Sequence, residues 1–253
     1  MTSQVTGGAA DLSDSQRLDW LRLIRSDNVG PSTFRQLINR FGGAGAALEA
    51  LPELIAKAGG KRKVRLASRD DCAREYDALT RMGGRFIAMG ESHYPRLLRE
   101  IDSAPPLIAV LGRIEIFSRP MIAIVGSRNA SAAGLSMAGQ LASELARHDY
   151  AIVSGLARGV DRQAHVTSLT TGTIAVLAGG FNHVYPAEHK ALAEKICKQG
   201  ALISEMPIGW QARGRDFPRR NRIVSGLSFG TIVVEAVRRS GSLITARFAN
   251  EQG

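Results

Sequence analysis

Between residues 121 and 236 the sequence alternates short apolar runs with helical patterns, and this alternation is the strongest constraint on the fold. The apolar strand candidates are residues 121–127, 150–155, 173–180, 201–205 and 230–236. Parallel neighbours in a sheet require crossover connections, which are usually helices. The pattern therefore predicts a protein of the α/β class with a Rossmann-like, doubly wound parallel sheet.

The N-terminal region has a different pattern, with short helical segments separated by glycine turns. Residues 12–27 place apolar side chains at helical spacing after a candidate cap, Ser13 or Asp14. A turn at 28–32 follows, and Ser32 is the candidate cap of a second helix. The sequence predicts a disordered N-terminus at 1–11 and a small all-helical domain at 12–83. Residues 84–119 are then expected to be a connector that packs on the Rossmann-like domain, 120–253.

Residues 29–42 resemble a helix-hairpin-helix element, in which amides of the turn can hold a DNA phosphate. Pro31 lacks a backbone N–H and so removes one of the amides that such a turn could offer. We therefore favour a packing or protein-contact role for the helical domain over a DNA clamp, and both alternatives remain open.

Composition narrows the class of protein. There are 33 Lys and Arg against 23 Asp and Glu, a net charge of +10, which makes nucleic acid the first partner to consider. The N-terminus lacks a basic segment followed by an apolar core, and no apolar run is long enough for a membrane span. Cys72 and Cys197 are too few for a disulfide framework or a zinc site. We expect a cytoplasmic protein without metal or cofactor.

Ligands of doubly wound sheets bind beyond the carboxyl ends of the strands, so the loops there are the candidate site. Gly126, Ser127 and Arg128 follow the first strand, and residues 154–159 follow the second. The loop after the fourth strand holds five arginines between 213 and 222, where Asp216 is the only acid. Arginine forks suit phosphate, so these loops predict a polyanion site. A second basic cluster, at 61–65, is followed by its own acids and is interpreted as a solvated helix face.

Sequence motifs exclude one nucleotide-binding class and disfavour another. No G-x-G-x-x-G follows the first strand, which disfavours a dinucleotide coenzyme. The absence of a GK[ST] motif excludes ATP hydrolysis of the P-loop type.

Several candidate residues have purely structural alternatives. Arg158 could pair with Asp161, and Arg222 with Glu235, as internal ion pairs. Arg128 has no acid nearby in the sequence. Phe217 is either a core residue or a platform for base stacking, and Ser242 is either a helix N-cap or a ligand-binding residue.

Taken in order, the motifs resemble the DNA-processing protein A (DprA/Smf) family. The segments that carry the resemblance are YPRLLREIDSAPPLIAVLGR (94–113), IVGSR (124–128), SGLARGVDRQAH (154–165), TIAVLAGGFNHVYP (173–186), ISEMPIG (203–209), FPRRNRIVSGLS (217–228) and VVEAVRRSGSLITA (233–246). The resemblance implies a helical, SAM-like N-terminal domain before an extended Rossmann domain. It also implies a non-enzymatic protein that binds single-stranded DNA, forms a homodimer through the Rossmann domain, protects incoming DNA and loads the RecA recombinase in natural transformation.

Carried over residue by residue, the resemblance places a DNA- and phosphate-binding site on the loops at the strand ends. The candidate residues are Gly126, Ser127, Arg128, Arg158, Gly159, Arg215, Phe217, Arg219, Arg220, Asn221, Arg222 and Ser242. Chains of this family normally run on through further strands, often to a winged-helix domain, whereas this sequence stops at Gly253. We therefore expect the sequence to be truncated.

Two other functional classes stay open. The segment from Gly230 to Glu235 partly resembles an element of LOG-type nucleotide phosphoribohydrolases, which would need a poised carboxylate, and Glu205 and Glu235 are the candidates at strand ends. The third possibility is an adaptor that acts mainly through its helical domain.

Overall fold

Seven strands form one sheet in the computed structural model, which describes residues 11–57, 65–238 and 240–253. The strands are β1 (Arg85–Ala88), β2 (Leu107–Gly112), β3 (Met121–Gly126), β4 (Ala151–Ser154), β5 (Thr173–Val176), β6 (Ala201–Ser204) and β7 (Gly230–Val234). Their spatial order is β1-β2-β6-β5-β4-β3-β7. The five strands from β3 to β7 are the five that the sequence predicts, and their mutual pairings are parallel. The predicted Rossmann-like α/β fold is confirmed.

Residues 84–119 do more than connect two domains, because they contribute β1 and β2. These two strands pair with each other and with β6 in antiparallel fashion, with Ala109 opposite Ser204. Pro105 and Pro106 precede β2 and leave its ladder uninterrupted. This pairing depends on tertiary packing against the edge of β6. The local sequence pattern at 84–119 therefore does not predict it.

Ten helices complete the described part of the chain. They are α1 (Asp14–Arg25), α2 (Pro31–Phe41), α3 (Ala44–Lys57), α4 (Arg69–Arg81), α5 (Arg96–Glu100), α6 (Ala132–Arg147), α7 (Val160–Thr167), α8 (Lys190–Gln199), α9 (Asp216–Gly226) and α10 (Gly241–Gln252). Ser13 caps α1 through a capping box with Gln16. The predicted cap at Ser32 is wrong: Gly30 is the N-cap of α2 and Pro31 is its first residue, a position for which the fixed proline φ is already suited.

The sheet buries apolar residues on both faces, because alternate residues of each strand point in opposite directions. Ala123, Val153 and Ile174 belong to the core on the face that holds α5 and α9. Ile124 and Ile152 belong to the core under α6 and α7 on the other face. The N-terminal helices have a separate core around Phe34, and α1 and α4 lie against the β1–β2 end of the sheet.

The strand order reverses between β3 and β7. From β3 the chain steps outward through β4 and β5 to β6, and α9 then returns it to β7 on the opposite side of β3. The loops after β3 and β7 therefore diverge and leave a crevice at the carboxyl edge of the sheet, which is where this class of fold binds ligands.

Residues 1–10, which belong to the predicted disordered N-terminus, and residues 61–64 of the second basic cluster lie outside the described residues. Within the described ranges, every helix is too short or too polar to cross a membrane.

A buried histidine makes the stability of the fold depend on pH. His165 is fully buried, its Nδ1 lies 2.8 Å from Thr173 Oγ1, and that hydroxyl donates to the Ile152 carbonyl at 2.7 Å. Nδ1 is therefore the protonated donor of a neutral ring, and Nε2 has no partner. Burial lowers the pKa of His165 from 6.5 to about 3.

We expect this histidine to make the protein less stable as the pH falls below about 6.5. In that range His165 is protonated in the unfolded chain but stays neutral in the folded chain. The free energy of unfolding therefore falls by up to about 1.4 kcal/mol per pH unit. Urea unfolding from pH 7 to pH 5 measures the slope. His165→Asn should flatten it, whereas the exposed control His93→Asn should keep the wild-type slope. Equal slopes in all three proteins would contradict the assignment.

Candidate nucleic-acid interface

The loops after β3 and β7 are tied together by Glu235. The Ser127 amide donates to the Glu235 carbonyl at 2.8 Å. The Glu235 carboxylate accepts from the Ser131 amide at 2.9 and 3.0 Å and from the Ser131 hydroxyl at 2.5 Å. These hydrogen bonds lower the pKa of Glu235. The two loops are thereby held as the walls of a cleft of about 530 Å³, which we call the switch-point cleft.

Arg128 and Phe217 line the switch-point cleft, and Tyr185 lies beside them in a small adjoining pocket. The Arg128 guanidinium lies 5.4 Å from the centre of the Phe217 ring, and the Tyr185 ring meets the same ring edge-on at 5.3 Å. Arg128 is exposed and has no carboxylate within ion-pair distance among the described residues, and Tyr185 is 53% exposed. Phe217 is half-buried. A cation beside aromatic rings that solvent reaches can hold a phosphate and stack a base.

Arg220 lies beneath these side chains as a buried cation. It is only 5% exposed, and its guanidinium donates to the carbonyls of Gly155 and Val176. Desolvation lowers the pKa of Arg220 to about 10, against the attraction of the buried Asp161 carboxylate. Gly155 leaves room for the guanidinium, because a Cβ there would lie 2.2 Å from an arginine nitrogen. Arg220 therefore contributes both structure and positive potential.

Arg158 and Asp161 do not pair, contrary to the ion pair considered as a structural alternative. Asp161 is buried and turns back to the amides of its own loop, accepting from Gly155 at 3.0 Å and from Ala157 at 3.3 Å. Arg158 points outward and forms a two-pronged ion pair with Glu188 at 2.6 and 2.8 Å. It lies beside Tyr185 and Phe217 in the wall of a small adjoining pocket.

Gly159 supports the site from within the second loop. Its φ is +69°, and a Cβ there would lie 2.2 Å from the Ser127 carbonyl oxygen. The same carbonyl accepts from the Val160 amide at 3.1 Å. The loops after β3 and β4 are thus packed backbone against backbone, which requires a residue without a side chain at 159.

Arg219 and Arg222 point away from the switch-point cleft. Both pair with the buried carboxylate of Glu205, Arg219 at 2.9 Å and Arg222 in a shorter contact. The considered pair of Arg222 with Glu235 is therefore wrong, because Glu235 faces the start of α6 on the other side of α9. Arg215 is exposed. Together with Arg219 and Arg222 it lines a different cleft, on the other side of α9.

The remaining candidates come from α9 and α10. Asn221 donates to the Gly241 carbonyl at 3.1 Å and so links the two helices. Ser242 is buried, its hydroxyl lies 2.8 Å from that of Ser240, and the N-cap of α10 is Ser240. Both Asn221 and Ser242 line the switch-point cleft.

The structure thus divides the candidate residues into three groups. Those that line the switch-point cleft are Gly126, Ser127, Arg128, Phe217, Arg220, Asn221 and Ser242. Arg158 lies at its margin, and Gly159 lies beneath it. Arg215, Arg219 and Arg222 line a different cleft. Tyr185 was not among the candidate residues, although its position after the third parallel strand indicates that it lies at the same edge of the sheet.

The chemistry of these clefts favours anion binding. In the described part of the chain, no three His, Cys, Asp or Glu side chains are grouped so that they could hold a metal ion. The two carboxylates considered for a phosphoribohydrolase lie in different clefts: two arginines hold Glu205 and Ser131 holds Glu235. A general acid requires a raised pKa, whereas that of Glu235 is lowered.

Comparison with known proteins identifies the family. A family model described as DNA recombination-mediator protein A matches residues 85–253, and a DprA-like N-terminal HHH domain matches residues 14–78. The chain belongs to the DNA recombination-mediator protein A family. The resemblance inferred from the motifs is confirmed.

Individual members of the DNA recombination-mediator protein A family agree over most of the chain. Protein Smf of Synechocystis sp. is 33% identical, with 95% of this chain and 63% of the relative covered. DNA processing protein A of Streptococcus pneumoniae superposes with a TM-score of 0.77 at 26% identity, with 96% of this chain and 85% of that chain covered. DNA processing protein A of Helicobacter pylori, a structure whose description concerns single-stranded DNA binding, has a TM-score of 0.60 at 29% identity and covers 63% of this chain and 74% of that chain.

Proposed function

We propose that this protein binds single-stranded DNA at the switch-point cleft and acts in DNA processing without catalysing a reaction. One observation carries the proposal: Arg128 is an exposed, unpaired cation stacked over Phe217 beside the cleft at which this fold binds ligands. The family and the single-strand binding in the description of the H. pylori relative support it.

The arrangement suggests how a strand would be held. Arg128 offers a fork to a phosphate, and the buried Arg220 adds positive potential beneath it. Phe217 and Tyr185 offer faces on which bases can stack, and stacking tolerates any base because every base has a π-face. Binding would therefore depend on salt and vary little with sequence.

The partners of the protein are part of the same proposal. The description of the family as a recombination mediator supports transfer of the bound strand to a recombinase of the RecA type, in the cytoplasm, with protection of DNA taken up in transformation. The homodimer through the Rossmann-like domain is proposed on the same family ground. It would place two switch-point clefts on one strand and raise avidity.

A salt series with single- and double-stranded DNA tests the proposal. We expect single strands to bind more tightly, because bases locked in a duplex cannot stack on Phe217 and Tyr185. The logarithm of the affinity should fall linearly with the logarithm of the salt concentration, with a slope of about −0.7 for each phosphate held. Equal affinity for both forms of DNA, or an affinity independent of salt, would contradict it.

Phe217→Ala should weaken single-strand binding by about 1–3 kcal/mol, because a stacking face is lost. Phe217→Trp keeps an aromatic face and should retain most of the affinity. The matched control is Phe229→Ala, which removes a 69% exposed ring that does not line the switch-point cleft. Fluorescence anisotropy with a labelled oligothymidine measures all three. Loss of affinity in Phe229→Ala, or none in Phe217→Ala, would exclude the stacking role.

A further inference from the structure

A second cleft, of about 670 Å³, separates the N-terminal helical domain from the sheet. One wall is the turn between α1 and α2, the hairpin of the helix-hairpin-helix element. The other wall is the side of α9 that faces away from the switch-point cleft, together with Trp210. We call this the interdomain cleft.

The hairpin wall presents the backbone of a tight turn. Asn28 is exposed and has a φ of +63°, a conformation that asparagine tolerates better than most residues. Gly30 is the N-cap of α2 and makes no side-chain cap, and a Cβ on Gly30 would meet nothing within 4 Å. The backbone at Gly30 therefore has open space beside it.

Both acids of the opposite wall already have partners. Glu205 is held by Arg219 and Arg222, and the Asp216 carboxylate accepts from Trp210 Nε1 and from the Arg213 amide, both at 2.9 Å.

Arg215 is consequently the one unpaired cation among the described residues that line this cleft, and Arg219 remains half exposed beside it. Among the described residues, the Asp27 carboxylate has no cation partner and accepts only from the Arg65 amide at 3.2 Å.

The two clefts lie on opposite sides of the start of α9, whose first turn contributes residues to both. Phe217 faces the switch-point cleft, and Arg215 and Arg219, two residues to either side, face the interdomain cleft. Arg213 lies over the Trp210 ring at 4.6 Å, next to the same wall. A strand leaving Phe217 would thus meet guanidinium groups and an indole, which are the groups that hold phosphates and bases.

We propose that single-stranded DNA bound at the switch-point cleft continues into the interdomain cleft. There Arg215 and Arg219 hold its phosphates, and the hairpin turn of the helical domain lies against it. This inference rests on the proposed function and extends it: the helical domain becomes part of the DNA-binding surface. Arginine and tryptophan side chains, next to the first site on α9, favour a nucleic acid over a protein partner.

A pair of isosteric charge changes tests the path. Asn28→Asp adds a negative charge at the hairpin turn, and aspartate tolerates the same φ. Asn39→Asp adds the same charge on the exposed side of α2, outside the cleft. Oligothymidines of about 6 and about 20 nucleotides bracket the length that one or both clefts would hold.

We expect the short oligonucleotide to bind the wild type and both variants equally. The long one should bind Asn28→Asp roughly fivefold more weakly than Asn39→Asp, with a salt slope reduced by about 0.7, the loss of one phosphate contact. Asp27→Asn, which removes the opposing charge, should tighten binding of the long oligonucleotide only. Thermal unfolding of each variant verifies that the helical domain remains folded.

The possible failures are distinguishable. If Asn28→Asp and Asn39→Asp bind every length alike, and Arg128→Ala still weakens binding, the strand does not enter the interdomain cleft but the proposed function stands. The cleft would then suit a protein partner. If Arg128→Ala also leaves binding unchanged, the proposed function fails with the inference.

Discussion

Arg128→Ala is expected to weaken single-strand binding at least about tenfold at 50 mM salt. A charged hydrogen bond of an arginine to a phosphate contributes about 1.5–3 kcal/mol. Arg128 is free to make one because no carboxylate pairs with it among the described residues, and its guanidinium already lies over the Phe217 ring. Loss of one phosphate contact should also flatten the salt slope by about 0.7.

The control for Arg128→Ala is Arg113→Ala. Arg113 is an exposed arginine that follows β2, and Gly112 at the end of β2 pairs with Ala201 at the start of β6. It therefore lies at the opposite edge of the sheet from the switch-point cleft, while its removal changes the net charge by the same amount. If both variants lose affinity equally, bulk charge rather than a defined site holds the DNA.

The loops of the candidate site could be located from the sequence, because the end of each strand is indicated by the residue at which its apolar run stops. The glycine turn follows β3 directly, and Phe217 lies at the end of the long connection after β6. Proximity in space is also predictable, since parallel strands present their carboxyl ends at one edge of the sheet.

The division of the arginines could not be predicted, because it depends on where α9 begins. If residues 213–222 are all taken as a loop, their arginines can converge on one site. The helix instead begins at Asp216. Successive residues of a helix are rotated by about 100°, so Arg219 and Arg222, three apart, share a face towards Glu205, whereas Arg220 points beneath the sheet edge.

The ion pairs considered for Arg158 and Arg222 do not form, for a related reason. Distance along the sequence favours Asp161 as the partner of Arg158, but the start of α7 turns that carboxylate towards amides of its own loop. The true partner, Glu188, comes from a loop 30 residues away that only the sheet order brings close. Long-range polar pairing of this kind has no periodic signature in a sequence.

Arg220→Met is expected to destabilise the protein by about 3–5 kcal/mol, although it keeps a long unbranched side chain in place. The guanidinium holds two backbone carbonyls at the ends of β4 and β5 and faces the buried Asp161. The two buried charges attract each other without an ion-pair contact, and removing one leaves the other uncompensated, which is the costly case. Urea unfolding followed by circular dichroism measures the loss.

A double-mutant cycle and a neighbouring arginine make this prediction specific. Asp161→Asn alone should also destabilise, and the double variant should lose less than the sum of the single losses, because neither charge is then left buried alone. Arg219→Met is the matched control: its ion pair with Glu205 is half exposed, and we expect a change below about 1 kcal/mol. Two results would mean that Arg220 stabilises the fold through its packing alone. One is a double variant whose loss of unfolding free energy equals the sum of the two single losses, and the other is an equal loss in Arg219→Met and Arg220→Met. The charge of Arg220 would then be available for a DNA phosphate at no cost to the fold.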